Sequence, residues 1–270
     1  VKALCGWVLF GLAVRMIGHK KIQLSALLLV SISLFSCGGS GSSSLSPILP
    51  PPKAAPDIFD SYYAHRNSNL ANNWTRGMDM SGVSFDNSRT ATLITPRHVV
   101  MAKHYARNAA AHVIFHDRKG KRVQRKLIGF YPGLGDVVVG LLDEPVPSNY
   151  TSYPLPTANT VGADLIGKFV IVTDQHRKLF VHQVASVSGG GIAFRHDPNQ
   201  THGWSKNLIF GDSGNPSFVI SGSELVLIET HTTGGPGAGP YFGDPAVQQS
   251  IREAVKKLDP NFQIKTTLLR

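Results

Sequence analysis

The chain has 270 residues, a length that can bury a sizeable core and that suggests one or two folded units. Charged residues make up 16% and hydrophobic residues 42%, a balance that excludes a disordered chain. The net charge is +10, but Lys2, Arg15, Lys20 and Lys21 lie in residues 1–36 without an acid, which leaves +6 on the remainder, too little for a nucleic-acid-binding footprint.

Residues 1–36 read as a leader. Lys20 and Lys21 precede an apolar stretch from Ile22 to Phe35, followed by Ser36, Cys37 and a Gly/Ser tract. A basic segment, an apolar segment of this length and a small residue before the break describe a secretory signal, too short for a comfortable membrane span. Translation from Met16 would give it a compact basic start; the alternative is an uncleaved N-terminal anchor, and both place the body outside the cytoplasm. Cys37 directly after Ser36 resembles the lipobox of bacterial lipoproteins. That resemblance implies a lipidated Cys37 and attachment to a membrane of the cell envelope. Glycine rather than aspartate at positions 38 and 39 points, on the same grounds, to the outer membrane. Residues 37–60 then form a Ser/Pro-rich tether, flexible at first and stiffer around Pro50-Pro51-Pro52. Cys5 and Cys37 are the only cysteines, so the body has no disulfide and no thiolate metal site.

From about Thr90 the chain is a series of short β-branched or apolar runs separated by turns: Thr90–Thr95, His98–Ala102, His112–His116, Arg122–Phe130 and Val137–Leu142, then Phe169–Thr173, Leu179–Val187, Pro216–Ile220 and Leu225–Thr230. Asp117-Arg118-Lys119-Gly120 and Ser221-Gly222-Ser223 supply hairpin turns. The basic cluster Arg118, Lys119, Lys121, Arg122, Arg125 and Lys126 beside the first turn reads as a solvated strand edge. Many short strands at this spacing indicate an all-β sandwich or barrel. One helix follows, with Asp244 as cap, Pro245 in the first position and Val247, Ile251, Ala254, Val255 and Leu258 on one face; Asp259-Pro260 ends it.

Near the C-terminal end runs Gly211-Asp212-Ser213-Gly214-Asn215-Pro216, which sets a serine in a tight turn between two glycines. A serine hydroxyl becomes a nucleophile when a base takes its proton and a third group orients that base. Two histidines compete as the base: His104, and His98 at the start of its strand. Asp136, at the lip of the apolar run Val137–Leu142, is the candidate orienting acid; Asp117 in the hairpin turn reads as solvated, and Asp143 and Glu144 lie at the far end of the same strand.

These three segments resemble those of the chymotrypsin/trypsin-like serine proteases. The serine run is similar to GDSGGP, with Asn215 in place of the second glycine after the serine. Val99, Val100, Ala102 and His104 match the valine pair, the first alanine and the catalytic histidine of WVVTAAHC, while Tyr105 replaces its cysteine. Asp136-Val137-Val138-Val139 resembles the aspartate and buried strand of DIALLKL. The order His104, Asp136, Ser213 is that of this family.

The resemblance, over about residues 75–258, implies two antiparallel six-stranded β-barrels with a C-terminal helix. Residues 61–155 would form the first barrel, 156–258 the second with the helix, and 259–270 a tail. It implies an endopeptidase acting on polypeptides through His104, Asp136 and Ser213, with the N–H groups of Gly211 and Ser213 as oxyanion hole and no metal or cofactor. A catalytically silent binding module and an esterase with the same triad are the alternatives. It further implies a substrate pocket with Asn207 at its base and Thr230, His231, Thr232 and Thr233 on its wall. A neutral asparagine does not favour Lys or Arg, and a histidine there is similar to the glutamate-preferring members. In trypsin-like zymogens the residue at Asp212 pairs with an N-terminal amine released by cleavage. No IVGG-like site is present, so an internal Arg, Lys or backbone donor is expected to satisfy Asp212, with activity independent of processing.

Overall fold

A computed structural model of the chain describes residues 77–158, 162–198 and 204–269. The leader, the expected lipidation site Cys37 and the tether lie outside the described residues, as does the opening of the expected first barrel. Two six-stranded antiparallel sheets follow one another along the chain, one rolled into a nearly closed barrel and the other a half-barrel. The N-terminal sheet contains β1 (Val83–Ser84), β2 (Ala91–Thr95), β3 (His98–Ala102), β4 (His112–His116), β5 (Arg122–Pro132) and β6 (Val137–Leu142), in the order β1-β2-β3-β6-β5-β4. After a short strand β7 (Leu155–Pro156), the C-terminal sheet contains β8 (Phe169–Thr173), β9 (Leu179–Ser188), β10 (Gly191–Arg195), β11 (Pro216–Ser221), β12 (Glu224–Thr230) and β13 (Ala238–Pro240).

The apolar runs of β2, β3 and β6 lack a clean alternation because both faces of these strands are covered. Along β2, β3 and β6, Leu93, Val99, Met101 and Val138 point into the interior of the N-terminal sheet. Their neighbours Ile94, Val100, Val137 and Val139 join a second core shared with Ile171, Phe218 and Leu227 of the other sheet. That shared core docks the two sheets, and the helix α1 (Pro245–Leu258) adds Val247, Ile251, Ala254 and Val255 to it. Asp244 caps α1 as expected, its Oδ1 accepting from the N–H groups of Ala246 (2.9 Å) and Val247 (3.1 Å). Among the described residues no helix is long and apolar enough to cross a membrane.

Residues after Asp259 do more than trail away. Strand β14 (Thr266–Thr267) pairs in parallel with β7 across the connection between the sheets, so this segment is stitched to the body.

Candidate active site

His104 sits in a one-turn 3-10 helix (Lys103–Tyr105) directly after β3, and Asp136 immediately precedes β6. Because β3 and β6 pair with Ala102 opposite Val137, the two side chains leave neighbouring strand ends on the same side. The backbone closes the corner: Lys103 N–H donates to the Asp136 carbonyl at 3.1 Å and His104 N–H to Asp136 Oδ1 at 2.9 Å. His104 Nδ1–H then donates to Asp136 Oδ2 at 2.5 Å. With that proton on Nδ1, Nε2 is the free lone pair, and it faces Ser213 Oγ at 2.9 Å. The three residues singled out in the sequence therefore form one hydrogen-bonded relay, assembled from both sheets. Asp136 is more open than its place at an apolar run suggests, with 26% of its side chain exposed, because exposed Leu134 and Gly135 precede it in the loop rather than covering it.

Neither alternative base nor acid reaches the serine. His98 is fully buried and exchanges its Nδ1 contact with Thr95 Oγ1 at 2.8 Å. Burial lowers its pKa to about 4. Asp117, expected to be solvated, is in fact 6% exposed: its carboxylate accepts from the N–H groups of Lys119 (2.9 Å) and Lys121 (2.7 Å) and from Asn149 Nδ2 (2.7 Å). The turn needs an internal acceptor, and that need pulls the aspartate inward.

The serine run is held by a set of residues without a local sequence signature. Gly211 (φ +97°) and Gly214 (φ +83°) adopt the left-handed conformations expected of a tight turn. A Cβ on Gly211 would lie 2.5 Å from Gln175 Oε1, so the glycine also admits the Gln175 side chain, whose Nε2 donates to the Phe210 carbonyl at 2.9 Å. Within the run, the N–H groups of Asp212, Gly214 and Asn215 are taken by the carbonyls of Ile209, His231 and Asp212. Those of Gly211 and Ser213 donate to no acceptor among the described residues. Two donors left over beside a nucleophilic oxygen are what a developing oxyanion requires.

Asp212 is satisfied internally, as expected. Its carboxylate accepts from Gln175 N–H (3.1 Å) and Ile209 N–H (2.8 Å), and Lys206 Nζ lies 3.1 Å from Oδ2. The same ammonium pairs with Asp174 Oδ2 at 2.6 Å. One lysine thus neutralises two buried carboxylates, and the turn between β8 and β9 is tied to the loop that carries Ser213.

The residues expected to line a substrate pocket are dispersed. Asn207 is exposed, and its neighbour Leu208 turns inward, held by a two-bond backbone bridge to Gly235. Thr230 and His231 are buried, Thr232 Oγ1 donates to the Ala238 carbonyl at 3.2 Å, and Thr233 is exposed. His231 Nε2–H donates to the Thr173 carbonyl at 3.2 Å, and its Nδ1 lies 2.8 Å from Glu229 Oε1, in ion-pair range but not aligned for a hydrogen bond. With a buried carboxylate beside it, this imidazole offers no free N–H to an acidic substrate side chain. The rim is apolar: Phe210 is 92% exposed and makes an edge contact with Tyr105, next to His104. A cleft of about 1010 Å³ lies between the inter-sheet connection and the β11–β12 hairpin, and no member of the relay lines it. No known family model matches this sequence. No curated protein is recognisably similar to it.

Proposed function

We propose that the chain is a serine endopeptidase built on the two-barrel plan of the chymotrypsin/trypsin-like enzymes. The observation that carries this reading is the relay from Asp136 through His104 to Ser213, with hydrogen bonds of 2.5 and 2.9 Å. His104 Nε2 takes the Ser213 proton as Oγ attacks a peptide carbonyl. Asp136 holds the Nδ1–H tautomer and stabilises the imidazolium. The N–H groups of Gly211 and Ser213 receive the oxyanion, His104 protonates the leaving amine, and water releases the acyl group by the reverse sequence. The Lys206 clamp on Asp212 supports activity without proteolytic processing, since the cation that orders the loop is already part of the chain. The leader and Cys37 support an extracytoplasmic, lipid-anchored location, which acyl-chain mass on Cys37 would read directly.

The test is covalent labelling of the intact protein by a fluorophosphonate, with Ser213→Ala as control, followed by turnover of a peptide library and of simple esters. Labelling confined to Ser213 and cleavage of peptides is expected. Absence of labelling would leave a binding module, and turnover of esters without peptides would leave an esterase; either outcome overturns the proposal.

A further inference from the structure

We propose that the β4–β5 hairpin is a docking surface for an anionic lipid bilayer. The proposal is independent of the hydrolytic reading. Six cations, Arg118, Lys119, Lys121, Arg122, Arg125 and Lys126, occupy nine consecutive positions without an acid, whereas the rest of residues 77–270 holds 14 Lys and Arg against 15 Asp and Glu. The positive excess of the body is therefore confined to one hairpin. All but the half-buried Arg125 are exposed. Among the described residues no carboxylate forms an ion pair with Lys119, Lys121, Arg122 or Lys126, and Arg125 reaches only a distant Glu144 at 3.9 Å. Protection of a sheet edge is a poor explanation, because the strand at the end of the sheet is β4, which carries no Lys or Arg; the charges lie on the turn and on β5.

The presentation is rigid. Asp117 fixes the turn from inside, and Tyr150 Oη–H donates to the Lys121 carbonyl at 2.7 Å. Along β5, Arg122, Gln124, Lys126 and the half-exposed Ile128 follow the two-residue repeat of a single outward face, roughly 7 Å apart. Cations with an apolar residue at the border suit the headgroup region of a bilayer. Between His112 and Ile128 no Phe, Tyr or Trp is exposed on which a nucleic-acid base could stack. It is also far from the relay: Pro132, at one end of β5, pairs opposite Val138 near Asp136, and Arg122 lies ten residues further, about 30 Å of extended strand. A bilayer held at the hairpin leaves the Ser213 side open, and the apolar leader read from the sequence brings the chain to such a surface.

The test compares the full chain with its Lys119→Gln, Lys121→Gln, Arg122→Gln, Lys126→Gln variant in vesicle flotation, on phosphatidylcholine alone and with about one third phosphatidylglycerol. Any contribution of the leader is common to both chains. In about 0.1 M salt, anionic lipid is expected to tighten binding of the wild type roughly tenfold or more, and higher salt should erase the gain. The variant, with an unchanged thermal midpoint, should gain less than about twofold. A gain retained by the variant, or no gain in the wild type, overturns the proposal. So does hairpin-dependent binding to soluble polyglutamate without any response to anionic vesicles, which would make the partner an acidic polypeptide.

Discussion

Ser213 owes its placement to residues outside the relay with His104 and Asp136. Lys206 is the most consequential, because its Nζ sits 3.1 Å from Asp212 and 2.6 Å from Asp174, and both carboxylates are almost fully buried. Removing one partner of a buried pair costs about 3–5 kcal/mol, mostly from the charge left behind. Here the lysine is 19% exposed, which lowers that figure, but two carboxylates are left facing each other, which raises it. Lys206→Met is therefore expected to lower the thermal midpoint and to depress kcat/KM on peptides by about a hundredfold as the Gly211 and Ser213 donors lose their positions. Lys206→Arg should recover much of both. Steady-state kinetics and thermal unfolding decide the matter; wild-type kcat/KM in Lys206→Met would show that the loop orders itself without the cation. This residue was not legible in the sequence. The motifs around His104, Asp136 and Ser213 are local strings, whereas Lys206 meets Asp174 across 32 positions and no pattern links them.

At the scale of elements, β2, β3, β6, β8, β11 and β12 were legible because each buries both faces almost throughout and so appears as a continuous β-branched or apolar run. Val137–Leu142 and Phe169–Thr173 form as expected, and the helix begins and ends where its caps predicted. The strands that were not legible, β10, β13 and the two-residue β1, β7 and β14, begin with glycine or hold too few residues for a repeat. They are strands because a partner lies alongside, which is tertiary information. Strand β9 carries a further feature of this kind. His182 is fully buried; its Nδ1–H donates to the Pro236 carbonyl at 2.8 Å and its Nε2 accepts from Lys206 N–H at 3.2 Å. Burial holds its pKa down to about 4, with smaller contributions from His196 and His231. His98 on β3 is held down to about 4 by the same cause. An unfolded histidine takes up its proton near ~6.5, so both contribute stability above that pH and lose it as the solution is acidified towards 4. Unfolding free energies from urea titrations should be flat from pH 8 to 7 and then fall, with a slope of at most about 1.4 kcal/mol per pH unit for each histidine. His182→Gln should be less stable at pH 7 but show a shallower fall. An equal slope in that variant would assign the acid sensitivity elsewhere.

The relay exists only while the two sheets are docked, since His104 and Asp136 come from one and Ser213 from the other. The shared core supplies most of the adhesion, and Arg97 adds an ion pair to Asp259 beyond the helix at 2.6 Å. Two residues after the serine a polar contact joins the sheets: Thr90 Oγ1–H donates to Asn215 Oδ1 at 2.9 Å, while Asn215 Nδ2–H donates to the Asp212 carbonyl at 3.0 Å. Asn215 is the residue that departs from the GDSGGP pattern, and this bridge is a physical reason for it. Asn215→Gly restores that pattern but leaves the buried Thr90 hydroxyl without its acceptor. A buried polar group deprived of its partner costs about 1–3 kcal/mol. The expected result is a lower thermal midpoint and about a tenfold loss in kcat with KM little changed, because Ser213 then drifts relative to His104 while the outer rim stays intact. Asn215→Ala separates the two components, since it removes the same hydrogen bonds without loosening the backbone. If Ala reproduces the loss, the bridge between sheets is the cause; if only Gly does, backbone freedom is. Wild-type kcat and midpoint in both variants would mean that the shared apolar core alone aligns the serine with its base.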